Sequence, residues 1–230
     1  MAGADKSQVL NPGLRTWLWG IAGRDILAMS FKAFFKKHFW LIVVILAVVA
    51  HFAISLKLAL FWYDNYNIGK FDLGNVVQVI HNTLNGKFFV YTDRFGTQIS
   101  RLSNHADFIL LLFVPIFAVF SDPVVLVVAQ CLALSISGLI VYLLAREVSL
   151  EKLPATLLAG AYLLNIDVGY LALDAFHGIT FAIPFVLLSF LFLERLSKKT
   201  EGNKPGLKSP NPGLGEFGRS LSFTLIGFIL

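Results

Sequence analysis

Charge is scarce in this chain: Asp, Glu, Lys and Arg together make up 14% of the residues, against 57% hydrophobic. With a mean hydropathy of +0.73, that balance excludes an ordinary soluble domain. Cysteine is scarcer still. The lone Cys131 allows no intramolecular disulfide and leaves the redox compartment unread. Also missing are a phosphate-cradling glycine-rich loop, a Cys/His zinc spacing and a serine-centred elbow. The pI of about 9.4 does not point to nucleic acid, because the basic residues cluster beside apolar runs as they do in cytoplasmic loops.

What is present is long apolar runs. Phe39–Leu60, Val124–Ala145 and Pro154–Leu173 are each long enough to cross about 30 Å of hydrocarbon. Ile179–Leu193 is shorter and carries Pro184, with Phe176 and His177 available to extend it. A further run starts at Leu221 and stops with the chain at Leu230, so the sequence reads as a piece of a longer protein. The first run is too long for a cleaved leader and reads as a signal anchor. Phe108–Phe120, interrupted by Pro115, suits an interfacial or re-entrant helix better than a crossing. The expected fold is therefore all-α, a polytopic transmembrane helical bundle with amphipathic surface helices in its first external loop.

Charge asymmetry sets the expected orientation. With the N-terminus cytoplasmic and Phe108–Phe120 not crossing, Arg146, Lys152 and the basic residues from Arg195 to Arg219 all fall inside. The external turn around Asp174 then carries no Lys or Arg, in keeping with the positive-inside rule. The organisation that follows is a basic, aromatic flank (1–38), a membrane domain (39–194) with an external loop (64–123), a Lys/Gly/Pro-rich cytoplasmic loop (195–220) and the start of another span (221–230). Trp17–Phe39 reads either as a helix on the inner leaflet or as a solvated flank. NPGL occurs at 11–14 and 211–214, two turn-forming strings rather than a repeat.

The external loop opens with FDLG, Phe71–Gly74. Leu73, Val76, Val77, Ile80 and Leu84 are spaced for one helical face, Asn75, Gln78, Asn82 and Asn85 for the other, and Gly86 is placed to stop the helix. Asp72 stands where an N-cap belongs, which the local pattern favours over a functional carboxylate. Lys87–Asp107 then supplies Asp93, Arg94, Arg101, His105 and Asp107, charges able to hold a lipid phosphate or simply to be solvated. In DAFHG (Asp174–Gly178) an Asp and a His three residues apart can face one another on a helical turn. Asn165 and Asp167 suggest a polar contact between helices, and His51 a packing histidine. A metal held by Asp72, Asp174 and His177 is chemically conceivable, so the cofactor requirement stays open.

Several strings in order, FDLGNVVQVIHNTLNGKFF, NHADFILLLFVPIFAVF, YLLARE, AYLLN and DAFHGITFAIPFVLLSFLFLE, resemble the domain-of-unknown-function 2079 family of predicted membrane proteins over about residues 64–195. That family in turn resembles GT-C glycosyltransferases, which take a sugar from a polyprenyl-phosphate carrier. The resemblance implies an acidic catalytic base near the start of the first outer loop, here Asp72, and matches His105 and His177 to recurring histidines. This chain has Ala106 where the family string has a Phe, and Gly178 where a Pro is common. The implied reaction is an inverting displacement at the outer face. Asp72 orients or deprotonates the acceptor hydroxyl, and Arg94, Arg101, His105, Asp174 and His177 surround the departing lipid phosphate. The expected partners are the lipid bilayer and that donor, not nucleic acid, in the cell membrane. Two rivals stand beside this expectation: a transporter or flippase, and a non-catalytic membrane scaffold.

Overall fold

The computed structural model describes residues 31–68 and 70–202, and among these the chain is built from seven α-helices and one small hairpin. In order they are α1 (Phe31–Asp64), α2 (Lys70–Leu84), β1 (Val90–Thr92), β2 (Gln98–Ser100), α3 (Val114–Val119), α4 (Val124–Glu147), α5 (Lys152–Leu163), α6 (Ile166–Leu173) and α7 (Ala182–Gly202). Short 3₁₀ turns cover Arg101–Ser103, Phe108–Leu112 and Gly178–Phe181. The chain divides into two units, residues 1–42 and 43–230. Most of the 1–38 flank and the run from Leu221 lie outside the described residues.

Three segments are long and apolar enough to cross a membrane: Ala33–Asp64, Val124–Glu147 and Gly178–Lys198. Their outward side chains are apolar, including Leu46, Val49, Ile54, Phe61 and Phe192, as a bilayer-facing surface requires. α4 is the central helix, with 56% of its apolar window buried against 11% and 22% for the other two. It packs on α5 and on α7. Gly138 sets the approach to α5, because a Cβ there would lie 2.6 Å from Leu163 Cδ2. At the far end of α4, Glu147 pairs with Arg195 Nε and Lys198 Nζ, both at 3.2 Å.

Two expectations need correction. Pro154–Leu173 is not one straight helix: α5 and α6 meet at a 44° bend. The cause is Asn165, whose side chain accepts from the backbone N–H of Asp167 and Val168 and so caps a new helix. Asp167 is exposed. The segment read as a flexible loop from residue 195 is helical as far as Gly202. After α2 the chain adds one short hairpin, in which β1 and β2 pair antiparallel with Tyr91 opposite Ile99.

Phe108–Val119 is apolar but short. Its 3₁₀ turn and α3 together reach about 20 Å, well under a hydrocarbon thickness. His51 Nδ1 meets Ser135 Oγ at 2.8 Å, a helix-packing contact.

Two helix ends use the same stop with different residues. After α2, Gly86 N–H bonds Thr83 O and Lys87 N–H bonds Asn82 O at 2.8 Å, with Gly86 at φ +81°. After α1, Tyr66 N–H bonds Tyr63 O and Asn67 N–H bonds Trp62 O at 2.8 Å, with Tyr66 at φ +59°. Both are Schellman motifs, in which glycine takes the left-handed position without steric cost. A tyrosine there costs about 1–2 kcal/mol.

Candidate functional site

The strings NHAD and DAFHG, separated by some seventy residues of sequence, meet in space. Arg101 Nε lies 2.9 Å from Asp107 Oδ2, and both side chains are largely buried. The guanidinium also sits 5.8 Å from the Tyr91 ring centre, in cation–π range. Tyr91 is itself fixed on β1, and its hydroxyl accepts from Asn104 Nδ2 at 2.8 Å. The hairpin therefore does positional work: it presents the aromatic platform beneath Arg101.

Asp107 packs directly over Gly178. A Cβ at that glycine would lie 3.1 Å from Asp107 Oδ1 and 2.9 Å from Ile109 Cγ2, so the absence of a side chain permits the approach. One residue back, His177 Nε2 lies 3.6 Å from Asp174 Oδ2, and both side chains keep more than a third of their surface exposed. Asp174 Oδ1 also accepts from Ala175 N–H at 2.8 Å. Arg101, Asp107, Asp174 and His177 thus line one junction around Gly178. One carboxylate fixes the guanidinium, and another lies 3.6 Å from the imidazole.

The residue that shapes this junction is Gln130 on α4, buried to 2% exposure. Its Nε2 donates to Leu171 O at 2.8 Å and reaches Asp174 O at 3.3 Å, while its Oε1 accepts from His177 N–H at 3.0 Å. Asp174–His177 lies between α6 and the Gly178–Phe181 turn, so helix bonds cannot satisfy all its backbone groups. Gln130 does so from a neighbouring helix. Sequence reasoning missed it, although a glutamine within an apolar run is itself a signal of a polar contact.

The other sequence-selected residues stand elsewhere. Asp72 is two residues inside α2, in its first turn, and exposed. It is therefore not the N-cap, and its carboxylate instead complements the positive end of the helix dipole. Arg94 sits at the hairpin tip, 4.8 Å from the Phe95 ring centre. Asp93 closes that tip by accepting from Phe95 and Thr97 N–H. His105 is exposed, and its N–H bonds Arg101 O at 2.9 Å. Among the described residues no hydrogen bond or ion pair ties Asp72, Arg94 or the His105 ring to the junction. Nor does any group of three His, Cys, Asp or Glu gather there to hold a metal, so Asp72, Asp174 and His177 form no common metal centre.

α2 departs from its expected faces in two places. Leu84 is exposed and Asn75 is buried, while Val79 joins Leu73, Val76 and Ile80 in the core.

A family model described as "Predicted membrane protein (DUF2079)" matches residues 62–201. No curated protein and no solved structure matches the chain.

Proposed function

The chain belongs to the DUF2079 family of predicted membrane proteins, and from that premise we propose that it is an integral membrane transferase moving a sugar from a polyprenyl-phosphate donor to an acceptor on the non-cytoplasmic side. In this reading the N-terminus is cytoplasmic, the protein resides in the cell membrane, and the 64–123 segment is its external loop. One observation carries the proposal: Arg101 and His177, two groups able to receive phosphate charge, lie at one junction, Arg101 bonded to Asp107 and His177 beside Asp174.

The acceptor hydroxyl attacks the anomeric carbon and gives its proton to Asp72. The bond from that carbon to the phosphate oxygen breaks, and the electron pair leaves with the polyprenyl phosphate. His177, oriented by Asp174, and Arg101 take up the charge that develops on the phosphate. Arg94 and His105 lie on the same loop and extend its positive field. Asp72 stands apart from the junction, so the substrate bridges the two, acceptor toward α2 and phosphate toward Gly178.

The test is sugar transfer in proteoliposomes holding a radiolabelled polyprenyl-phosphate sugar. Asp72→Asn is expected to lower the rate by about 10²–10⁴-fold, and His177→Ala to raise the donor requirement as well. Transfer undiminished in Asp72→Asn removes the base assignment.

A second reading is favoured by the α5–α6 break, since interrupted helices are a feature of transport sites. It predicts movement of the labelled lipid between leaflets, without transfer of its sugar, that persists in Asp72→Asn.

A further inference from the structure

At the end of α1 the structure forms a cavity of about 370 Å³ between Tyr63, Asp64 and Tyr66 and the start of α2, where Leu73, Gly74 and Val77 complete the wall. This is within the size range of small-ligand sites. Among the side chains the structure describes, no Lys, Arg or His lines it, so the described lining offers no cation to a phosphate or carboxylate ligand.

Its electrostatics point the other way. Asp64 is the last residue of α1, and the last turn of that helix has no basic residue. A carboxylate there stands at the negative end of the helix dipole, the end that favours cations, so it does nothing for the helix and concentrates negative potential at the cavity. Asp122 adds a second carboxylate within electrostatic reach of Tyr63. Tyr66 occupies the left-handed position that Gly86 fills after α2. An aromatic side chain is thus held at the rim of the cavity against its own backbone preference, and strain of this kind clusters at binding sites. Two aromatic residues, one carboxylate and an apolar wall form the kind of lining that receives an organic cation.

We propose that this cavity binds an organic ammonium group, with Tyr63 and Tyr66 as its aromatic lining, Asp64 the counter-charge, and Leu73 and Val77 the apolar contact for its methyl or methylene groups. The site stands apart from the transfer reading. It lies at the end of a membrane-crossing helix, so the ammonium can come from a lipid headgroup or from a soluble amine.

The experiment uses the full chain in lipid nanodiscs, with tetramethylammonium and methyl α-D-glucopyranoside as probes in saturation-transfer NMR. Saturable tetramethylammonium binding is expected at millimolar strength, as for one desolvated cation–aromatic contact set. Asp64→Asn should weaken it about fivefold, the effect of one partly exposed charge pair. Tyr66→Gly should abolish it while raising the thermal midpoint, because strain is relieved. That opposed movement separates a lost site from a lost fold. No saturable response, an equal response in all three proteins, or glucoside binding in place of the cation overturns the proposal. Comparing thermal midpoints in phosphatidylcholine and phosphatidylglycerol nanodiscs then identifies the source. A rise in phosphatidylcholine that Tyr66→Gly removes assigns the ammonium to the headgroup. Equal midpoints, with tetramethylammonium binding retained, assign it to a soluble amine.

Discussion

Replacing Gln130 by leucine tests whether the Asp174–His177 segment is held from outside itself. The side chain is buried, and leucine nearly matches its size, so packing changes little. What goes is the donor to Leu171 O and the acceptor for His177 N–H. Each buried group left without a partner costs about 1–3 kcal/mol, for a total of roughly 2–5 kcal/mol after allowing for easier burial of an apolar side chain. Cys131, the next residue, is fully buried with its Sγ 3.6 Å from Ala172 O. As the only thiol in the chain it is a built-in reporter of opening. When reclosing outpaces labelling, the maleimide reaction rate follows the open population, and 2–5 kcal/mol corresponds to an increase of roughly 30- to 5,000-fold. Gln130→Glu keeps an acceptor for His177 N–H but loses the donor, and should fall between. A Gln130→Leu rate within about threefold of the parent in detergent would refute the clamp, because three-fold is under 1 kcal/mol.

Three further outcomes are expected. Asn165→Ala removes the cap of α6 and should lower stability by about 1 kcal/mol, read as a lower midpoint of thermal Cys131 exposure. Gly138→Ala drives a methyl against Leu163 and should cost about 1–3 kcal/mol, and Leu163→Ala in the same protein should recover part of that loss; additive losses would show that the two positions do not touch. Glu194 is buried on α7 to 2% exposure, and its Oε2 has no hydrogen-bond partner among the described residues. Glu194→Leu should therefore raise the unfolding midpoint, by about 1–3 kcal/mol in stability, and a fall would mean that the carboxylate has a partner in the working protein.

The parts of the fold that were legible in the sequence are those set by local chemistry. Phe39–Leu60 and Val124–Ala145 became membrane-length helices, as did the shorter Ile179–Leu193 run, whereas Pro154–Leu173 is bent at its middle, and Gly86 stops α2 because only glycine takes φ +81° freely. Asn165 was visible as a polar residue inside a run, but whether a polar residue contacts another helix or caps its own depends on backbone geometry that periodicity does not record. The hairpin was missed because each strand is three residues long. Its signal, VYT and TQIS either side of DRFG, lies in β-branched and turn residues rather than in hydrophobic alternation. The junction was half legible. Arg101, Asp107, Asp174 and His177 were all marked by charge, but their pairing depends on a glycine thin enough for Asp107 to pass and on a glutamine more than forty residues from the segment it holds. Asp72 lies two residues past the first residue of α2, enough to exchange a cap for a first-turn charge.

The Gln130 clamp also has a consequence for biogenesis. Residue 130 leaves the ribosome before residues 171–177, so α4 can be seated in the bilayer with its amide group already exposed to an incoming partner. The Asp174–His177 turn, which cannot satisfy its own backbone, finds its hydrogen-bond partners waiting as it is released from the translocon. Were the clamp on a later helix, the turn would form before these partners were in place. The order of the elements along the chain thus matches the order in which they need one another.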